Sequence, residues 1–132
     1  MKAISARVTR AINSGSILRC ADNSGAKEVM VISFKTYKGR KRRYPKGGVG
    51  DVVSCVVKKG EYKLRHKVHY GVIIRQKKEY RRANGIRVCF EDNALILVDK
   101  KLNPLGSEIK GPVAKEVVER FVHLGKIASL VV

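Results

Sequence analysis

Six short stretches rich in Val and Ile, separated by tight-turn chemistry, fill the first hundred residues of this 132-residue chain. They cover residues 16–20, 27–34, 51–58, 70–76, 87–90 and 94–98. β-Branched side chains suit a pleated, half-buried surface, so each run reads as a strand. Asp22-Asn23-Ser24-Gly25 marks a turn, because Asx side chains bond local backbone and Gly accepts positive φ. Asn84-Gly85, between 77–82 and 86–90, carries a strong hairpin signal, and Glu91-Asp92-Asn93 makes the next reversal. Many short strands joined by tight turns favour a small closed barrel, since closure removes exposed edges. The chain is expected to be mainly β.

The pattern changes after Asn103-Pro104. Pro112 is placed to open a helix, where its missing N–H costs nothing. Val113, Val117, Val118 and Phe121 share one helical face, and Glu116 and Arg120 stand at i, i+4 as a solvated pair would. Gly125 is the expected stop, followed by an apolar tail over 127–132. With no repeat or linker, residues 1–132 read as one domain, of which 104–132 form the helical and tail part. Such a chain is long enough to bury roughly two thirds of its unfolded surface. Its 44% hydrophobic content, without Trp, calls for an aliphatic core.

Charge divides the chain unevenly. Of a formal net charge of +18, +14 falls in residues 35–82, from seventeen basic and three acidic side chains. Residues 83–132 carry only +1. One region therefore suits a polyanion and another does not. Lys35, Lys38, Arg40, Lys41, Arg42, Arg43 and Lys46 lie within twelve residues that contain no acid, with Tyr37 and Tyr44 between them. Lys58, Lys59, Lys63, Arg65 and Lys67 form a second cluster around Gly60. Arg75, Lys77, Lys78, Arg81 and Arg82 form a third, leading into the Asn84-Gly85 turn. A pI near 10.2 with three clusters on successive β connections points to nucleic acid.

Other chemistries have little to stand on. No apolar run approaches the ~18 residues of a membrane span, and residues 1–7 lack a secretory apolar core, so no membrane partner is expected. Cys20, Cys55 and Cys89 are odd in number, far apart and flanked by apolar residues, as buried thiols in a reducing cytoplasm would be. His66 and His69 fall on opposite faces of an extended segment, with no acidic third ligand close in sequence. Gly47-Gly48-Val49-Gly50 lacks the spacing of a phosphate-binding loop and precedes a strand, so a turn is expected. Asp51 has no second carboxylate beside it for general acid–base work. Neither catalytic residue, metal nor cofactor is expected.

The kind of nucleic acid follows from what is missing. A reader of duplex DNA would offer a recognition helix, and the only helix candidate lies in the near-neutral third. A general single-strand binder would show several aromatics on strand faces, whereas Phe34 and Phe90 read as core. Basic loops on a small barrel suit folded RNA, with Tyr44 and Tyr80 as candidates for stacking. A free-standing single-strand RNA chaperone and a His66/His69 metal-dependent nuclease are the competing readings.

The chain also resembles a known family. Gly71-Val72-Ile73-Ile74, then Asn84-Gly85, Phe90, and Asn93 before Ala94–Val98, is similar to the signature of universal large-subunit ribosomal protein fourteen. Ile96 stands where that signature usually has Val. Residues 21–26, Gly48-Val49-Gly50-Asp51, Gly106 and Gly111-Pro112-Val113 extend the resemblance across 17–125. Residues 1–16 and Arg75-Gln76-Lys77-Lys78 look archaeal.

The resemblance implies a closed five-stranded barrel with a β-ribbon and a short C-terminal helical segment, bound to large-subunit rRNA. It implies a place in cytoplasmic ribosomes, on the face that meets the small subunit. Neighbouring large-subunit proteins, and small-subunit rRNA at inter-subunit bridges, would be partners. An anti-association factor would dock near the C-terminal region, here Gly106, Ser107, Glu108 and the helix bearing Glu116, Glu119, Arg120 and His123. Bacterial members commonly carry Thr-Arg where this chain has Ser107-Glu108, so a contact through that Arg has no counterpart here.

Overall fold

The computed structural model describes residues 1–132. The strands are β1 (Ile12–Asn13), β2 (Ile17–Cys20), β3 (Ala26–Phe34), β4 (Lys46–Gly47), β5 (Val52–Gly60) and β6 (Val68–Arg75). They continue with β7 (Tyr80–Arg81), β8 (Arg87–Val88), β9 (Ala94–Val98) and β10 (Ile109–Val113). Helices α1 (Lys115–Arg120) and α2 (Val122–Gly125) follow, and β11 (Ala128–Val131) ends the order.

Strands β2, β3, β5, β6 and β9 close into a barrel in that order. Four neighbouring pairs are antiparallel. A ring of five strands cannot alternate direction throughout, so the closing pair, β2 with β9, is parallel, with Arg19 opposite Ala94 and Cys20 opposite Leu95. The expected barrel is thus present, with β7 and β8 as a ribbon joined across Asn84-Gly85.

Strand periodicity sorts the apolar side chains into two cores. Leu18, Val29, Val31, Phe34, Val53, Cys55, Val57, Ile73, Leu95 and Leu97 fill the barrel. On β9 the alternate residues Ala94, Ile96 and Val98 face outward, yet they are buried as well. They pack in a second core with Val72, Ile74, Ile109, Val113, Val117, Phe121 and Leu124. The C-terminal layer therefore covers one outer side of the barrel, which explains why β9 reads as an unbroken apolar run.

That layer departs from expectation. Pro112 lies inside β10 and does not open the helix, which begins at Lys115. A strand paired on one side tolerates the missing donor, and β10 has only β11 as its ladder partner. The helix is also broken, because Phe121 (φ −124°, ψ 87°) leaves helical geometry between α1 and α2. The expected tail is in part strand β11, parallel to β10. Parallel neighbours need a crossover, and α1 and α2 supply it. Cys20 and Cys55 are buried, but Cys89 is exposed beside the ribbon, contrary to its apolar flanks. Phe34 is core, while Phe90 is half-buried against the outer core.

Candidate nucleic-acid interface

Barrel topology decides where the basic segments go. The β3–β5 connection and the β6–β9 connection leave from one end of the barrel, marked by Phe34, Val52 and the Arg75–Ala94 pair. The β5–β6 connection leaves from the other end, with the Asp22–Gly25 turn, since Gly60 pairs with Ala26 there. The first and third basic clusters thus share one end, called upper here, and the second occupies the lower end. Three clusters contiguous along the chain become two separate basic surfaces.

At the upper end, Lys35, Lys38, Arg40, Lys41, Arg42, Arg43, Tyr44 and Lys46 are all exposed. None of these cations is ion-paired. Lys41 (φ 42°) and Arg42 (φ 66°) both adopt left-handed backbone, which costs an L side chain roughly 1–2 kcal/mol per residue. The segment therefore makes a tight reversal, closed by a bond from the Arg43 N–H to the Arg40 carbonyl at 3.0 Å. Lys77, Lys78 and Arg81 are exposed at the same end.

The N-terminal segment adds charge that sequence reasoning left out. The Arg7 N–H donates to the Arg81 carbonyl at 3.0 Å, and Thr9 Oγ1 donates to the Glu79 carbonyl at 3.0 Å. Arg10 lies over the Tyr37 ring, 4.9 Å from its centroid. Arg7, Arg81 and Arg87 line one shallow cavity with Thr9 and Tyr80. The signal for Arg7 and Arg10 was their basic character in an otherwise sparsely charged stretch. Arg87 was missed because it follows the turn into the near-neutral third.

At the lower end Lys58, Lys59, Lys63, Arg65 and Lys67 are exposed. Lys59 pairs with Glu28 at 3.1 Å across β3 and β5, a solvent-exposed contact worth little.

Three residues expected to meet RNA are turned inward. Arg75 is buried at 5% exposure, with Nε and Nη2 donating to Asp92 at 2.8 and 3.1 Å. Its Nη1 donates to the Lys110 and Pro112 carbonyls, so the guanidinium ties β6 to β10 and has no fork left for phosphate. Gly111 (φ 80°) makes room, because a Cβ there would stand 2.9 Å from Arg75 Nη1. Arg82 is half-buried, with Nε donating to Glu116 at 2.7 Å and Nη2 to the Val132 carbonyl at 2.6 Å. Tyr80, expected to stack on bases, is 1% exposed and donates its hydroxyl to Glu116 at 2.7 Å.

The same cluster corrects the expected Glu116–Arg120 surface pair. Glu116 is buried and faces Arg82 and Tyr80; the helical i, i+4 pair is Lys115 with Glu119 at 3.6 Å. Burial pushes the Glu116 carboxyl upward, but the hydrogen bonds from Arg82 and Tyr80 outweigh it and hold the group below its ordinary value. Burial, and then the bond to Glu116, raise the Tyr80 hydroxyl. Of the partner-surface residues, Ser107, Glu108, Glu119 and His123 are exposed, and Gly106 and Arg120 are half-buried. Asn23 pins this segment to the lower-end turn, its Oδ1 accepting the Ser107 N–H at 2.8 Å and its Nδ2 donating to Ser107 Oγ at 2.8 Å.

Gly47 ends β4, and the expected turn runs from Gly48 to Asp51, closed by the Asp51 N–H on the Gly48 carbonyl at 3.1 Å, with its amides already used. The Gly48 N–H donates to Asp51 Oδ2 at 2.8 Å, and the Val49 N–H to buried Gln76 Oε1 at 3.0 Å. His69 Nε2 lies 3.3 Å from the Leu64 carbonyl, while His66 is exposed. No three His, Cys, Asp or Glu side chains gather closely enough to hold a metal ion.

The chain matches known proteins along nearly its whole length. The family model for ribosomal protein L14p/L23e matches residues 11–132. The chain is similar to Large ribosomal subunit protein uL14 of Methanothrix thermoacetophila, at 54% identity over 129 residues, 98% of this chain and 96% of that one. It is 51% identical to the same protein of Methanoregula boonei over 132 residues, all of both chains. With Halorubrum lacusprofundi the figure is 48%, again over all of both. The similarity runs through barrel, basic loops and C-terminal layer alike, and the chain belongs to the ribosomal protein L14p/L23e family, in its archaeal form.

Proposed function

We propose that this chain binds large-subunit rRNA through two basic surfaces at opposite ends of its barrel. The family is a structural, non-enzymatic part of the ribosome. The observation that carries the RNA reading is the acid-free 35–46 loop, which stands out from the barrel with every cation exposed and unpaired. Lys and Arg there would replace counterions on rRNA phosphates, with Arg7, Arg10, Lys77, Lys78 and Arg81 extending the same end. Lys58, Lys63, Arg65 and Lys67 would grip a second RNA element at the lower end.

The near-neutral C-terminal layer then serves protein and subunit contacts. Ser107, Glu108, Glu119 and His123 are among its exposed polar residues. Neighbouring large-subunit proteins, small-subunit rRNA at bridges and an anti-association factor are the partners this reading assigns to that side, in cytoplasmic ribosomes. A salt titration of full-length chain on large-subunit rRNA tests the RNA half. With about 6–10 phosphate contacts, affinity should fall by roughly 10³–10⁵ between 50 and 200 mM salt. A nearly flat binding constant, or failure to sediment with large subunits at low salt, would overturn it.

A further inference from the structure

The five tyrosines divide by what their rings touch. Tyr80 is buried against Glu116, Tyr37 sits under Arg10, and the Tyr70 ring lies 4.6 Å from Lys35 Nζ. Tyr44 is 81% exposed and Tyr62 91%, the most exposed large apolar side chain in the molecule. Tyr62 is not on a loose loop. The Glu61 N–H donates to the Gly25 carbonyl at 3.1 Å, and the Leu64 and Arg65 N–H groups return to the Glu61 carbonyl at 3.1 and 3.2 Å. The His66 N–H donates to the Val57 carbonyl at 3.2 Å, with His66 in left-handed backbone (φ 60°), and Leu64 packs onto the barrel core. The loop is thus a fixed turn that anchors one apolar side chain inward and holds one aromatic ring outward.

Around that ring the chemistry is one-sided. Tyr62, Lys63, Arg65, His66 and Lys67 line an open cavity of about 460 Å³. None of Lys63, Arg65 and Lys67 is ion-paired, and the loop's single acid, Glu61, lies over Gly25 in the neighbouring turn. An exposed aromatic in a preformed turn suits either a protein hot spot or a nucleic-acid base, and unpaired cations on its flanks select the polyanion. Every base offers a π-face, and an unpaired base can be splayed onto a side chain.

We propose that the 61–67 turn is a base-capture site: Tyr62 stacks on an unpaired rRNA base, and Lys63, Arg65 and Lys67 hold the flanking phosphates. The inference rests on the rRNA-binding reading and adds to it a specific ligand, an unstacked nucleobase, at the lower end of the barrel. The full-length chain and its Y62F, Y62A and Y62L variants, bound to large-subunit rRNA purified from a related archaeon, provide the test. Base-specific chemical probing of each complex is compared with equilibrium binding at fixed salt.

With wild type and Y62F one unpaired base is shielded; with Y62A that base becomes reactive, backbone protection elsewhere stays, and affinity falls about ten-fold. Y62L should behave as Y62A, because it keeps apolar area and loses the ring. Equal base reactivity in wild type and Y62A overturns the proposal, as does wild-type shielding and affinity of Y62L, which would mean that apolar bulk suffices and no ring stacks on the base. Absence of any rRNA protection by wild type would instead overturn the rRNA reading itself. Unchanged melting of all three variants, expected for so exposed a side chain, confirms that folding is not what the probes report.

Discussion

The 35–46 loop and the C-terminal layer use the same side-chain chemistry for opposite ends. In the loop, Arg40, Arg42 and Arg43 face solvent without partners. Under the C-terminal layer, Arg75 has nearly all of its donors, and Arg82 its Nε and Nη2, filled by Asp92, Glu116 and backbone carbonyls. A guanidinium in water is available to phosphate and contributes little to folding. One enclosed with a carboxylate holds elements together and is lost to any outside ligand. Local charge density alone does not distinguish the two.

That contrast predicts a separation of stability from binding, and the sharpest break comes at Glu116. Replacing it with Lys leaves the Arg82 guanidinium and the Tyr80 hydroxyl without their acceptor and sets two cations together. Denaturant melts should show a loss of about 3–5 kcal/mol. If Glu116→Lys melts like wild type, the buried cluster is not what ties the ribbon to the C-terminal layer.

The opposite result is expected when Arg40, Lys41, Arg42 and Arg43 are all replaced by Gln. Stability should stay within about 0.5 kcal/mol, while the slope of log affinity for rRNA against log salt drops by about 0.9 for each phosphate no longer neutralised. A melting shift comparable to that of Glu116→Lys would erase the distinction.

Acid gives a graded version of the first test. The folded-state value of Glu116 lies below its ordinary one, so its stabilisation is complete above the ordinary carboxylate range and is lost as pH falls through the lower folded value. Melting between pH 7 and pH 3 should therefore fall more steeply in wild type than in Glu116→Gln. Parallel curves would assign acid sensitivity elsewhere.

The smallest effect concerns the thiols. Burial, with the nearby Asp22 charge, pushes Cys55 up to about 12 and raises Cys20 as well, whereas Cys89 is exposed. Native chain should take up one equivalent of a thiol reagent, at Cys89, with no change in melting, and three only when unfolded. Early labelling of Cys20 or Cys55 would mean that the barrel opens more readily than its core implies.

Much of the barrel was legible because its signals are local. Alternating Val and Ile with Asx and Gly turns located Ala94–Val98 to the residue and placed the ends of the other barrel strands to within two residues. What was lost depends on partners distant in sequence. Ile109–Val113 contains Lys, Gly and Pro, none of which favours a strand, and it becomes one because Ala128–Val131 lies beside it. Arg75 and Arg82 resemble Lys77 and Arg81 in every local respect; Asp92 and Glu116, 17 and 34 residues further on, remove them from the surface. Tyr80 was misjudged, and Tyr62 passed over, for the same reason, since ring exposure is set by tertiary packing and not by neighbouring charge.

The parallel seam between β2 and β9 bears on how the chain assembles. Hydrogen bonding of Arg19 to the Asn93 carbonyl, and of Ala21 to that of Leu95, joins backbone more than seventy residues apart. Such contacts repay their loop-closure entropy late, so the ring is expected to form slowly, after its antiparallel hairpins. During synthesis the nascent barrel stays open until residue 94 has been added, by which time the entire 35–82 stretch already exists. Its like charges repel one another and keep unfinished chains apart. The same lysines and arginines that would later hold RNA are thus expected to act first as a guard against aggregation.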